Sequence, residues 1–251
     1  MNDKSAPTSF MEHATELRQR LIYCVMALVL SSIVAYVFVE DIYGFLVKPL
    51  ADAMGPDDSQ RLIYTNLTEA FFTYMKVSIF AGAFVTFPFI LTQVWRFIAP
   101  GLYKNERRTV LPFLIAAPVL FFTGGALVYY IVIPLAWQFF LSFQSTGADT
   151  ILPIMLEARV GDYLDLVMTL IFAFGICFQL PVLIALLAKA GLVKSVALRR
   201  YRRYAVVIIF IIAAILTPPD IISQISLAIP LMVLYELSIF LAHKLEPPYH
   251  G

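Results

Sequence analysis

The sequence predicts an all-α integral membrane protein, a single polytopic domain over residues 1–251 with six transmembrane helices. Two observations support this fold class. Hydrophobic residues make up 61% of the chain and charged residues only 14%, whereas a soluble domain carries about 25% charged residues. The apolar residues also form long runs, most of them close to the ~20 residues that a helix needs to cross ~30 Å of hydrocarbon.

The N-terminal segment, residues 1–20, is polar. It lacks the short basic start and the small-residue cleavage site of a signal peptide, so we expect the first span to remain in the product. The stretch from His13 to Leu21 has apolar residues four apart, at Leu17 and Leu21. This spacing predicts an amphipathic helix that lies along the membrane surface and leads into the first span.

The apolar runs place the six spans at about 21–39, 70–93, 110–133, 163–187, 204–217 and 221–242. The segments 40–68 and 134–162 are interpreted as polar loops, and 188–203 as a basic connector. Gly124 and Gly125 in the third span predict a close approach of helix backbones. The fifth run has only about 14 residues, or ~21 Å as a helix. Such a span either thins the bilayer or lies beside protein, and the sequence leaves both possibilities open.

The basic residues are distributed unevenly between the two sides of these spans. An even number of spans puts both termini on one side, and that side also carries most of the Lys and Arg residues: Lys4, Arg18, Arg20, Arg96, Lys104, Arg107, Arg108, Lys189, Lys194, Arg199, Arg200, Arg202, Arg203 and Lys244. The other side has Lys48, Arg61 and Arg159. Since cytoplasmic loops are enriched in Lys and Arg, both termini are predicted to be cytoplasmic. The net charge of +1 gives no general attraction to nucleic acid.

The loop after the second span has an unusual composition. Trp95, Arg96 and Phe97 combine aromatic and basic side chains, as is typical of a membrane–water interface. The Pro100-Gly101 pair then breaks the helix. The loop continues with basic residues around one carboxylate, Glu106.

Five stretches of the chain, in this order and topology, resemble the TatC family, the polytopic receptor of the twin-arginine protein translocase. The resemblance runs from end to end. The matching stretches are HATELRQRL (13–21), EAFFTYMKVS (69–78), QVWRFIAPGLYKNERR (93–108), FGICFQLPV (174–182) and TPPDIISQISLAIP (217–230).

The resemblance implies a six-helix bundle shaped like a cupped hand, with short fifth and sixth helices, in the inner membrane. It implies a receptor that binds signal peptides with paired arginines on the cytoplasmic side. Folded precursors would then be exported by the proton-motive force, without a cofactor or an enzymatic step. The implied partners are single-span TatA- and TatB-type proteins, further TatC copies, the precursors and membrane lipids.

Three residues are implied in signal-peptide recognition. Glu106 matches the glutamate of the family's first cytoplasmic loop, and a carboxylate can meet a guanidinium bidentately where lysine offers only a point charge. Glu16 is placed beside it as the acid for the second arginine, and Phe97 matches a loop aromatic. The alternatives are structural. Glu106 could pair with a neighbouring basic residue, Glu16 could pair with Arg20, and Phe97 could anchor the interface.

Gln179 and Lys76 are the two polar residues within the predicted spans that are singled out as candidates. Gln179 precedes Pro181 in the fourth span, where many TatC relatives carry glutamate. A glutamine can form hydrogen bonds but holds no charge, so the sequence argues against an obligatory proton relay here, and Gln179 is kept as a polar element of the concave face. Lys76 lies two turns after Glu69 and is expected to extend its ammonium group toward the interface.

The turn between the last two spans carries Thr217, Asp220 and Gln224. In the TatC family this hairpin is where TatA- and TatB-type subunits dock. Turn and capping chemistry accounts for the same residues and is compatible with docking.

Two other function classes are weaker alternatives. A small-solute transporter would often show two matching halves with a midplane site, and no convincing repeat is present. A membrane enzyme would need a Ser/His, paired-Asp or HExxH constellation, and the sequence contains none. The three histidines lack metal-ligand spacing, so neither a metal nor another cofactor is expected.

Overall fold

The computed structural model describes residues 10–55, 61–98, 107–145, 156–216 and 221–245. These residues are almost entirely helical. The α-helices are α1 (Phe10–Val37), α2 (Val39–Met54), α3 (Glu69–Ile98), α4 (Arg107–Leu127), α5 (Ile133–Leu141), α6 (Val160–Cys177), α7 (Leu180–Lys189), α8 (Ser195–Arg200), α9 (Arg202–Leu216) and α10 (Ile221–Leu245), and a π-helical turn (Val128–Val132) joins α4 to α5.

Five helical stretches among the described residues are long and apolar enough to cross a membrane: His13–Val37, Glu69–Val94, Pro112–Leu141, Val160–Lys189 and Gln224–Leu245. They correspond to the first, second, third, fourth and sixth predicted spans. The predicted fifth span is α9, which has 15 residues and is therefore about 22 Å long. The expected shortness of this helix is confirmed. The resemblance also implied a short sixth helix, which is wrong: α10 has 25 residues and continues through Pro230 to Leu245, a length of about 37 Å.

The first helix differs from the prediction. Residues 13–21 do not form a separate surface helix, because α1 runs without a break from Phe10 to Val37. The sequence has no Gly or Pro between residues 10 and 37. With nothing to end the helix, the polar turns simply continue into the apolar ones.

Two predicted loops also contain helices. The segment 40–68 begins with α2, whose apolar residues Leu46 and Leu50 lie one turn apart and are buried. The segment 134–162 begins with α5, which buries Trp137. Helix α2 is short and mixes apolar with charged residues, a composition that resembles a loop. Helix α5 is apolar, and it extends the third span beyond its predicted end at residue 133, because the apolar stretch continues to Leu141.

Proline accounts for the two irregular points in the long helices. The π-helical turn ends where the amide of Ile133 bonds to the carbonyl of Val128, five residues back. Pro134 follows and cannot donate to a carbonyl in the preceding turn, which favours the widened ring. The break between α6 and α7 lies just ahead of Pro181, where the amide of Gln179 bonds to Ile176 instead.

The core includes the interface between α4 and α6, where glycine permits close contact. A Cβ atom added at Gly124 would lie 2.9 Å from the carbonyl oxygen of Phe174. One added at Gly175 would lie 2.5 Å from the ring of Phe121, which is fully buried. The predicted close backbone approach at Gly124 is therefore confirmed.

Helices α1 and α3 pack antiparallel along their length. At the crossing point, a Cβ atom added at Gly82 would lie 2.7 Å from the amide nitrogen of Ser32 and 2.8 Å from its Cα. The hydroxyl of Ser31 donates to the carbonyl of Gly82 over 3.1 Å. This packing brings the start of α1 beside the end of α3, where the candidate site lies.

Candidate functional site

The start of α1 carries the first of the predicted recognition residues, Glu16. Arg20, one turn further on, donates from Nε to Glu16 Oε1 over 3.0 Å, and its Nη2 contacts the same oxygen. Arg20 Nη1 lies 3.4 Å from Oε1 of Gln93 on α3. The Glu16–Arg20 pair, which was the structural alternative to a recognition role for Glu16, is therefore present, and Gln93 links it to α3.

The second predicted residue, Phe97, lies near the end of α3. Its ring stacks on the imidazole of His13, with centroids 4.2 Å apart and an interplanar angle of 15°. His13 precedes Glu16 by one turn of α1, and its Nδ1 lies 4.0 Å from Glu16 Oε2. Antiparallel packing therefore brings Glu16 and Phe97, which are distant in sequence, to one end of the helix pair.

Among the described residues, no hydrogen bond reaches the second carboxylate oxygen of Glu16. Both Arg20 nitrogens meet Oε1, while the contact between Oε2 and His13 is beyond hydrogen-bond length. About a third of the Glu16 side chain is exposed. A further guanidinium can therefore bond to Oε2 while Arg20 keeps its place. The Phe97–His13 pair offers an aromatic surface beside it.

Glu106, the third predicted residue, lies outside the described residues. It directly precedes Arg107, where α4 begins. Of the predicted recognition residues, the described part of the chain brings together Glu16 and Phe97. Sequence analysis did not single out Gln93 or His13, although both belong to the stretches that carry the family resemblance.

Gln179 lies at the break between α6 and α7. Its Nε2 donates to the carbonyl of Ala117 on α4 over 2.9 Å, and a longer contact of 3.4 Å reaches Gly175. An intramembrane amide is costly unless it is hydrogen-bonded. Here the amide is satisfied by backbone carbonyls, so Gln179 links two helices.

Lys76 differs from the prediction, because it has a specific partner. Its Nζ lies 2.6 Å from Oδ2 of Asp165 on α6, and about half of each side chain is exposed. A similar pair joins Arg202 Nη2 to Glu236 Oε2 over 2.6 Å between α9 and α10. The first pair joins helices that are far apart in sequence, and the second joins two consecutive helices.

Of the residues predicted for the last hairpin, Gln224 is described and Thr217 and Asp220 lie outside the described residues. Gln224 Nε2 donates to the carbonyl of Phe210 over 3.2 Å, which joins α10 to α9. Gln224 is partly buried. It therefore has a structural contact within the chain whatever else it binds.

Glu69 is a residue that sequence analysis missed. Its carboxylate accepts from the amide of Thr65 over 3.0 Å and from the amide of Gly161 over 3.1 Å, and Arg159 Nη2 lies 3.3 Å away. It thereby fastens the segment before α3 to the start of α6. The sequence does contain a signal: Asn66 lies three residues before Glu69, the spacing of a capping box.

Comparison with known proteins assigns the family. The family model described as "Sec-independent protein translocase protein (TatC)" matches residues 12–230. The chain belongs to the TatC family. It is 50% identical over 244 residues to a protein of Magnetococcus marinus named Sec-independent protein translocase protein TatC, covering 97% of this chain and 86% of that one. A Rickettsia prowazekii protein of the same name is 48% identical over 240 residues, covering 96% and 94%.

A solved structure agrees with this assignment. The crystal structure of a twin arginine translocase receptor, TatC, superposes with a TM-score of 0.80 at 37% identity, covering 93% of this chain and 99% of that one. Family membership and the five long apolar helices together establish a multi-pass membrane protein. The TatC family is one of protein translocase components and not of enzymes, as the sequence had indicated.

Proposed function

We propose that this TatC protein is the receptor and core subunit of a twin-arginine translocase. It binds the signal peptides of folded precursors at the cytoplasmic membrane surface and supports their export, which the proton-motive force drives. This proposal depends mainly on one observation: the Glu16 carboxylate and the Phe97 ring lie close together where the start of α1 meets the end of α3.

The geometry supports a receptor for guanidinium groups. The partly exposed pair of Glu16 and Arg20 contributes only about 0–1 kcal/mol, whereas a charge-assisted contact to an incoming arginine contributes about 1.5–3 kcal/mol. The free energy of the contact between the peptide arginine and Glu16 therefore exceeds the free energy that is lost if Arg20 has to move away from Glu16. Glu106, which lies between α3 and α4 in the sequence, serves as the second acid.

The proposed topology has six spans with both termini in the cytoplasm of the inner membrane. The five long helices and the short α9 together supply the spans, and the distribution of Lys and Arg supports the orientation. The bundle is cupped, and Gln179 contributes a polar group to its concave face. The hairpin with Thr217, Asp220 and Gln224 docks TatA- and TatB-type single-span partners. TatC copies and lipids complete the assembly.

A binding titration tests the receptor function. Signal peptides with an arginine pair and with a lysine pair are titrated against the full chain in detergent. We expect the arginine peptide to bind more tightly, and Glu16→Gln to weaken its binding about 10- to 150-fold, equivalent to 1.5–3 kcal/mol. The matched control is Glu40→Gln, which changes an exposed acid on α2 at the other end of α1.

Equal affinity for the two peptides would refute the proposed recognition. If Glu16→Gln and Glu40→Gln changed affinity to the same extent, Glu16 would lose its assigned role. Reporter fusions after residue 105 test the orientation separately. A reporter active outside the cytoplasm there would overturn the topology.

A further inference from the structure

Two adjoining cavities lie beside α2, at the end of α1 opposite to the Glu16–Phe97 site. The first has a volume of about 330 Å³ and lies between α2, α3, α4 and α6. Its lining is apolar and includes Ile42, Phe80, Phe84, Phe122 and Ile171. A volume in this range is typical of small-molecule sites.

The second cavity is polar. It has a volume of about 380 Å³ and lies between α2, the π-helical turn and α5. Lys48, Asp52 and Gln138 contribute its polar groups. Lys48 and Asp52 are one turn apart on α2 and both are exposed. Within the described ranges, neither forms an ion pair.

Three aromatic residues, Phe45, Tyr129 and Tyr130, line both cavities and form the wall between them. Phe45 stacks on Tyr129 with centroids 4.3 Å apart, and the Tyr129 hydroxyl donates to the carbonyl of Phe45 over 2.7 Å. The wall is therefore held in place. Aromatic residues mark the depth at which hydrocarbon meets headgroups, so the apolar cavity lies at the depth of acyl chains and the polar one at the depth of headgroups.

The mouth of the apolar cavity is open to the side. Val85 on its rim is 68% exposed and Tyr130 is likewise 68% exposed. The cavity is therefore accessible from the outer surface of the bundle. A partner helix, 10–12 Å across with its side chains, is too wide for this volume.

We propose that the paired cavities bind one glycerophospholipid whose headgroup is zwitterionic and carries a primary ammonium group. An acyl chain fills the apolar cavity. The phosphate bonds to the Lys48 ammonium, and the headgroup ammonium donates to the Asp52 carboxylate. Opposite charges one turn apart match a headgroup that carries both signs, whereas Asp52 would repel an additional negative charge.

Native mass spectrometry of the full chain tests the proposal. The protein in detergent is titrated with phosphatidylethanolamine, phosphatidylcholine and phosphatidylglycerol that carry the same acyl chains. Phosphatidylcholine has the same net charge as phosphatidylethanolamine but no N–H donor. We expect one phosphatidylethanolamine to be retained about two- to fivefold more than either other lipid, the size of one partly exposed ion pair.

Two variants test the headgroup contact and the acyl-chain contact separately. Asp52→Asn should remove the preference among headgroups, and Asp41→Asn, an exposed acid on the same helix that does not line either cavity, should retain it. Ala126→Phe places a ring in the apolar cavity and should reduce retention of all three lipids. Val207→Phe, at an exposed position of α9, is its control.

The proposal is overturned if the three lipids are retained equally, which indicates annular lipid only, or if Asp41→Asn and Asp52→Asn behave alike. It is also overturned if Ala126→Phe leaves retention unchanged. The unfolding temperature of each variant establishes that it is folded. If Ala126→Phe fails to fold, Ala81→Leu fills the same cavity from α3.

Discussion

Replacing Gly82 by alanine tests whether the contact of α1 with α3 holds the candidate site together. The added Cβ would lie 2.8 Å from Ser32 Cα and also meet its hydroxyl, whereas ordinary contacts begin at 3.4–4 Å. The two helices must therefore separate by about 0.6–1.2 Å, because the obstacle is backbone and cannot rotate away. Overpacking of this kind costs about 1–3 kcal/mol.

The same separation should reach the recognition residues. Gln93 lies 11 residues further along α3, about 16 Å away, and its contact with Arg20 is already long at 3.4 Å. We expect Gly82→Ala to lower both the unfolding temperature in detergent and the affinity for an arginine-pair signal peptide. Fluorimetric melting and a binding titration measure the two effects.

Gly44→Ala is the matched control. Gly44 is also a helical glycine, in α2, but a Cβ added there would meet nothing within 4 Å. Since alanine favours a helix interior over glycine by about 1 kcal/mol, this variant should melt at the same temperature or higher. If Gly82→Ala were as stable as Gly44→Ala, the close approach of the two helices would be refuted.

Three further predictions concern other parts of the chain. Glu106→Ala should weaken binding of the arginine-pair peptide by about 1.5–3 kcal/mol, while Glu106→Gln should leave the amount of assembled protein unchanged; loss of assembly would indicate a structural role. Gln224→Leu should reduce co-purification of single-span partners without a matching fall in unfolding temperature, and recovery at the wild-type level would remove the docking role. Asp165→Asn should change the free energy of unfolding by no more than about 1 kcal/mol, because its pair with Lys76 is half-exposed. A loss of several kcal/mol would instead place that pair inside the hydrocarbon.

The amino-acid sequence determined the long spans of this protein. Each of the five long helical stretches is a continuous apolar run. In a bilayer, the length of such a run is enough to specify a helix. The sequence also determined the shortness of α9 and the close approach at Gly124. Both depend on local composition.

Only the tertiary structure revealed helices α2 and α5 and the polar contacts between helices that are distant in sequence. Helix α2 is short and mixed in polarity, whereas α5 is a nine-residue apolar helix beyond the π-helical turn. Both are stabilised by residues, such as Leu46 and Trp137, that pack against the bundle. Lys76 meets Asp165 across 89 residues of chain, and Arg20 meets Gln93 across 73. The sequence gives the charge of each side chain, but the partner of that side chain depends on which helices lie side by side and in which register.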